Sequence, residues 1–337
     1  MAAKADTILL SIVVPVLNEE DAIDAFLNGI AEPAEEACRL GGPEMDYELI
    51  FVDDGSTDGT YTYLMAARQK QPRIEVVSLS RNFGKDAALT AGLRKARGRA
   101  VIPMDVDLQD PPEVLPDMVR LWLAGAEVVN VKRSERMSDT SSKRLSAEWF
   151  YKIYNYLAER PIPENVGDFR LLDRVVVNAL SNMPEHARFM KGLISWVGFR
   201  QETVLAARQP RAAGTSKWRT WRLWNFALDG FAGSTTVPLR IWTYLGSAVA
   251  LSAFLYSLFL VVRRLIYGAD VPGYTSLMVV MLAFGGINFM ALGIMGEYIG
   301  RIAAEVRGRP LYVERRSTLS DWPGTEAIKD KAPDDIR

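Results

Sequence analysis

LIFVDDGSTDGTYTYLMAARQK, residues 49–70, holds a whole structural unit in one line. Leu49 to Val52 is a short apolar, β-branched run of strand length, and the polar, glycine-bearing VDDGSTDGT ends it. From Thr60 to Lys70 the pattern changes to that of a helix. The same alternation recurs along the first half of the chain. Strand-like runs at Leu9 to Val16, Glu75 to Leu79, Ala100 to Met104 and Glu127 to Val131 are interleaved with helical patterns at Asp21 to Ile30, Lys85 to Ala96 and Pro112 to Trp122. Repeated strand–helix units predict an α/β fold with a mostly parallel sheet flanked by helices. In such sheets ligands bind beyond the carboxyl ends of the strands, so the loops that follow the strands carry the functional information.

Those loops are VLNEED, VDDGSTDGT, SRNFGKDAA and MDVDLQDPPE. No GxGxxG follows the first strand and no GxxxxGKS is present, so neither the dinucleotide loop nor the P-loop is available. The loops bring carboxylates to one edge instead: Glu19, Asp53, Asp54, Asp105 and Asp107. Crowded carboxylates raise one another's pKa and cost stability unless a cation sits among them. Lys85, at the start of a helix, adds a positive charge and backbone donors suited to an anion. A nucleoside diphosphate bridged by Mg²⁺ or Mn²⁺ satisfies both signs at once.

Composition removes other classes of function. Lys and Arg number 40 against 41 Asp and Glu, so no basic surface argues for nucleic acid. One cysteine, Cys38, and one histidine, His186, exclude an internal disulfide, a zinc cluster and a multi-histidine metal site. The opening MAAKADTILLSIVVPVLNEE has too short an apolar run for a secretory signal and reads as a first strand.

Charge is segregated along the chain. Ile241 to Val262 and Thr275 to Gly296 are free of charged residues, each of a length that matches a bilayer's hydrocarbon core of about 30 Å. Two transmembrane helices are expected, at about 241–262 and 275–299, forming a region 241–300. Arg219, Arg222 and Arg240 before them and Arg301, Arg307, Arg309, Arg315 and Arg316 after them outnumber Arg263 and Arg264 between them. By the positive-inside rule both termini and the large domain 1–212 are expected in the cytoplasm. Residues 213–240, where Trp218, Trp221, Trp224 and Phe226 alternate with Arg219 and Arg222, read as an amphipathic helix at headgroup level. Gly285, Gly286 and Gly293 permit close helix contact and so a homo-oligomer, and Asn288 offers a helix-to-helix hydrogen bond. In the tail, 301–337, the polar stretch from Ser317 on reads as disordered or regulatory.

Taken in order, VVPVLNEE, VDDGSTDGT, RNFGKDAAL, DVDLQDPPE and GDFRLLDR resemble the inverting family-2 glycosyltransferases of GT-A fold. Within them the chain is similar to the polyprenyl-phosphate type, the bactoprenol glucosyltransferases and dolichol-phosphate mannosyltransferases, over about residues 11–300. The resemblance implies that Pro15, Asn18, Glu19, Asp53, Asp54 and Ser56 bind the nucleotide and that Asp105, Asp107 and Gln109 hold metal and diphosphate. It places Asp168 and Arg170 beside donor sugar and acceptor, and Arg188, Lys191 and Trp196 on the acceptor side. RAAGTSKW is similar to a lipid-phosphate segment and nominates Arg211, Ser216 and Lys217. The implied reaction moves a hexose from a nucleotide sugar to polyprenyl (undecaprenyl) phosphate at the cytoplasmic face of a bacterial inner membrane. UDP-glucose is the donor favoured by resemblance, with GDP-mannose or a modified UDP-sugar as alternatives. An acceptor phosphate is already anionic near neutral pH, so Asp168 is either a base or a positioning group. Two rival readings are weighed: a processive polysaccharide synthase, whose extra spans and QxxRW element are missing, and a nucleotide-sugar-binding protein without turnover.

Overall fold

The computed structural model describes residues 7–133, 166–183, 190–206 and 273–319, with isolated positions at 161, 163 and 185 and a scatter between 246 and 266. The chain divides into two units, Met1–Ala227 joined by Pro310–Arg337, and Leu228–Arg309.

The first unit is built on an eight-stranded sheet. Its parallel centre comprises β1 (Ile8–Val16), β2 (Asp46–Asp53), β3 (Ile74–Leu79) and β4 (Ala100–Pro103), lying side by side in the order β4-β1-β2-β3. The expected strands at these positions all form, with ends displaced by no more than a few residues. Beyond β4 lie β6 (Val166–Asp173), β5 (Val128–Arg133) and β7 (Gln201–Ala206). β6 runs antiparallel to both neighbours. A strand at 166–173 was not anticipated; it separates β4 from β5 and turns a parallel sheet into a mixed one.

Side chains of β1 alternate between two cores, as the period of a pleated strand requires. Ile12 and Val14 face a core shared with Phe26 and Ile30 of α1 (Ile23–Gly41), Leu64 of α2 (Thr60–Lys70) and Met118 of α4 (Leu115–Leu123). There Phe26 meets Phe51 edge-on at 5.8 Å. Val13 faces the other core, with Leu89 and Leu93 of α3 (Lys85–Lys95), Val176 and Leu180 of α5 (Arg174–Ser181) and Ile194 of α6 (Met190–Trp196). The close approach of α3 to the sheet depends on Gly92, where a Cβ would stand 2.3 Å from Val13 Cγ1. β1 is therefore buried on both faces, and its carboxyl end opens between β2 and β4, where the strand order reverses. That reversal is the position at which open α/β sheets bind ligands.

The stretch expected to be disordered or regulatory from Ser317 on is described only as far as Leu319, and it begins on the last residue of a strand. Glu314–Ser317 forms β8, an antiparallel edge strand on β3. Thr318 Oγ1 donates to Glu75 Oε2 at 2.8 Å, and the buried Lys95 ammonium reaches Glu314 Oε2 at 3.1 Å. Strand pairing with a distant partner, together with a buried counter-ion, holds residues 314–318 on the edge of the sheet.

Of the second unit the structure describes chiefly α7 (Tyr274–Val306). Among the described residues no helix is long and apolar enough to cross a membrane. This corrects the expectation of an integral membrane protein with two transmembrane helices and an assigned cytoplasmic side. That expectation rested on counting missing charge. α7 is not bounded by the charge-free run: its apolar residues are interspersed with Gly285, Gly286, Asn288, Gly293 and Gly296, and it continues through Glu297, Arg301 and Glu305. Half of the first expected span, 241–262, falls outside the described residues, as does the whole amphipathic segment 213–240.

Candidate active site

The loops at the carboxyl ends of β1 and β2 are zipped together by their own polar groups. Asn18, in the left-handed region at φ 54°, accepts at Oδ1 from the Thr57 amide at 2.8 Å, while its own amide donates to Ser56 Oγ at 3.0 Å. Glu19 N donates to Thr60 Oγ1 at 3.1 Å. Pro15 lies in β1 opposite Val52, one register step before these loops begin. The nominated residues Pro15, Asn18, Glu19 and Ser56 thus form one rim, and asparagine is among the few residues that adopt its conformation readily.

Asp53 and Asp54 sit behind that rim, both buried. Asp53 accepts from Ser56 N at 2.9 Å and from Ser78 Oγ at 3.0 Å. Asp54 accepts from the Phe83 amide at 2.7 Å and the Gly84 amide at 2.8 Å. Burial pushes the Asp54 carboxyl up, and those two amides offset part of the rise. The chain can pass so close only because residue 55 is glycine: its φ is +74°, and a Cβ there would lie 2.5 Å from the Arg81 carbonyl carbon. The acidic pair thereby anchors the 81–84 loop and, with it, the start of α3.

What that anchor presents is Lys85. Its ammonium lies 2.7 Å from Asp105 Oδ1, on the loop after β4, and 2.9 Å from Asp168 Oδ2, on β6. Residues 20 and 83 positions distant in sequence meet there. All three side chains remain between about a third and a half exposed, so the cluster is open to solvent. Burial pushes the Asp168 carboxyl up, but the Lys85 and Lys191 charges and the Lys85 hydrogen bond outweigh it and hold it at about 2. Reciprocally, the two carboxylates hold Lys85 well above the usual lysine range. Lys191 stands on α6, half-buried.

Asp107 accepts from the Gln109 amide at 3.2 Å, and Leu108 between them takes φ 54°. Gln109 is buried, and its Oε1 finds no hydrogen-bond partner among the described residues. A buried acceptor without a donor is expensive. Arg170, on the same face of β6 as Asp168, is buried and donates to the Gly167 carbonyl at 2.6 Å. Trp196 ends α6 with its ring exposed. Arg188, Arg211, Ser216 and Lys217 lie outside the described residues.

The sequence reading did not identify the supports of this site. Ser78 at the end of β3 braces Asp53, and Thr57 and Thr60 pin the first loop. Asn130, opposite Arg170 in the sheet, is held by Gln201 at 2.9 Å. Thr57 and Thr60 stand inside the VDDGSTDGT motif and were open to notice; Ser78, Asn130 and Gln201 carry no local pattern.

Among the described residues no group of three or more His, Cys, Asp or Glu could hold a metal ion by itself. Asp105 and Asp107 nevertheless supply hard carboxylate oxygens from one short loop, and Gln109 brings an amide oxygen to it. That set suits an ion such as Mg²⁺, which takes one or two carboxylates and completes its shell with water and substrate phosphates.

Residues 11–180 match the model of the family described as Glycosyl transferase family 2. A glycosyltransferase of Synechocystis sp. described as uncharacterized is 48% identical over 322 residues, covering 96% of this chain and 98% of that protein. The SfII prophage-derived bactoprenol glucosyl transferase of Shigella flexneri is 46% identical over 308 residues, covering 91% of this chain and 98% of its own length. Among solved structures, a mannosyltransferase from Pyrobaculum calidifontis in complex with GDP-Man and Mn²⁺ overlaps 89% of this chain and 86% of its own at 20% identity and a TM-score of 0.45.

Proposed function

The chain belongs to glycosyl transferase family 2 and is a glycosyltransferase, and on that premise we propose that it transfers glucose from UDP-glucose to a polyprenyl phosphate with inversion at the anomeric carbon. Support for the acceptor and the sugar comes from relatives named bactoprenol glucosyl transferase that match along nearly their whole length. The observation that carries the reading is the Lys85 ammonium held between Asp105 and Asp168 at the reversal point of the strand order. Charges of both signs side by side on this edge support a site for a diphosphate and its counter-ion.

The residues divide the work. The rim of Asn18, Glu19 and Ser56, backed by Asp53, receives the nucleoside, and Lys85 faces the diphosphate. Asp105, Asp107 and Gln109 would hold Mg²⁺ or Mn²⁺, which when bound stabilises the charge on the departing UDP. The acceptor's phosphate oxygen is an anion near neutral pH and attacks C1 directly; the C1–O bond to UDP breaks as the new C1–O bond forms. No strong base is needed. The Lys85 and Lys191 charges hold the Asp168 carboxyl at about 2 before nucleotide binds; because the acceptor phosphate brings no proton that must be removed, positioning is favoured over base catalysis. Aligning the nucleophile behind the sugar then supplies the main part of the acceleration.

The test is direct. Purified full-length protein is given radiolabelled UDP-glucose or GDP-mannose with undecaprenyl phosphate, with and without EDTA, and label is counted in the organic phase. Chelator-sensitive transfer from UDP-glucose is expected. Transfer that ignores EDTA removes the metal from the reading, and transfer from GDP-mannose alone replaces the donor.

A further inference from the structure

We propose that Lys85 is the site's own counter-cation, which competes with a divalent ion for Asp105 and leaves only when a diphosphate offers it another partner, so that metal and nucleotide bind together. This deepens the reading above and rests on it.

The geometry supplies each part of the argument. Lys85 contacts both oxygens of Asp105, at 2.7 and 2.9 Å, and also Asp168 at 2.9 Å. A divalent ion approaching Asp105 therefore meets a positive charge already seated on its ligand. In solvent-exposed surroundings that repulsion is moderated but not abolished. Removing the ammonium without compensation leaves Asp105 and Asp168 as like charges around an empty centre.

The loop that carries Lys85 cannot simply swing away. The Phe83 and Gly84 amides are held by Asp54 at 2.7 and 2.8 Å, and the backbone at residue 55 is packed against Arg81. Motion is confined to the side chain, and lysine's flexible four-carbon stem permits it. From the start of α3 the ammonium can leave the carboxylates and meet a diphosphate on the same edge, where the helix amides already favour an anion. Diphosphate binding thereby frees Asp105 for the metal, and the metal's charge in turn holds the diphosphate. Such coupling is reciprocal by thermodynamic necessity.

Full-length protein is titrated with Mn²⁺, and free Mn²⁺ is counted by electron paramagnetic resonance, with and without UDP; no turnover is required. In the unaltered protein UDP is expected to tighten Mn²⁺ binding by about tenfold or more. Lys85→Gln is expected to bind Mn²⁺ alone about tenfold more tightly than the unaltered protein and to lose most of the UDP effect. Lys85→Arg, which restores a cation, is expected to return both quantities toward the original. Thermal melting confirms that each variant is folded, which the solvent-exposed position of Lys85 favours. If UDP promotes Mn²⁺ binding in the unaltered protein and Lys85→Gln changes neither quantity, this inference falls and the functional reading stands. If no Mn²⁺ binds with or without UDP, both fall.

Discussion

The two edges of the sheet carry the same chemistry to opposite ends. At the amino edge, Glu48 at the start of β2 is buried and its carboxylate is saturated: Ser11 Oγ and the Arg97 amide donate to one oxygen at 2.5 and 2.7 Å, and the Arg97 guanidinium donates to the other at 2.6 and 2.8 Å. Glu75, also buried, takes Arg68, Arg97 and Thr318. At the carboxyl edge, Asp105 and Asp168 share one flexible ammonium and stay open to solvent. Arginine's rigid fork with added backbone donors makes a sealed, structural contact, whereas a lysine point charge on exposed carboxylates leaves room for exchange. Charge of the same kind thus locks one edge and equips the other.

Substitutions at the two edges should part company in what they harm. The largest effect is expected at the open edge: Asp107→Ala lowers kcat/KM by about 10³-fold, a loss comparable to deleting one electrostatic stabiliser, while the melting temperature hardly moves. Steady-state kinetics beside calorimetry checks this, and an equal fall in stability would erase the contrast. Next comes Glu48→Ala at the sealed edge, which leaves the Arg97 charge without its main partner and should cost about 3 kcal/mol of stability by urea unfolding. Its activity per folded molecule should persist.

Asp168→Asn is a smaller perturbation that sharpens the catalytic side. It removes charge but keeps shape, and about tenfold loss of kcat with measurable residual transfer is expected of a positioning group. A complete loss restored by added small carboxylates would mark it as a base instead. The same residue sets an acid limit. Its carboxyl is held at about 2, below its unfolded value near 4, so the stability it contributes is full above about pH 4 and fades as the pH falls toward 2. The urea midpoint of Asp168→Asn should therefore depend less on pH across that window. The smallest effect belongs to Thr318→Val, which removes the hydroxyl bonds to Glu75 and Val76 and should cost about 1 kcal/mol with unchanged kinetics.

Reading order along the chain explains how much of this was foreseeable. β1 to β5 and their helices were legible because each is a continuous run whose apolar spacing is a local property. The acidic loops were legible for the same reason, and Lys85, Asp105 and Asp168 were all nominated. Their mutual contact was not, nor was the division of labour inside VDDG, where Asp54 is spent on holding the 81–84 loop. β6 escaped because GDFRLLD, with charge on three of its seven residues, reads as a loop until β4 and β5 flank it. The 241–300 region shows the converse error: absence of charge is also a local property, and by itself it did not establish a helix able to cross a membrane.

Sequence alone determined the repeated strand–helix rhythm, the family, and which acidic and basic residues stand as candidates for the site, because periodicity and motif order survive without coordinates. Only the tertiary structure decided that β8 returns from residue 314 to close the edge of β3. It alone decided that Asp168, inserted antiparallel between β4 and β5, meets Lys85 across 83 positions of chain. Both depend on pairing between distant segments, where the gain from ladder hydrogen bonds and buried charge outweighs the entropy of closing long loops, and no local pattern records that balance.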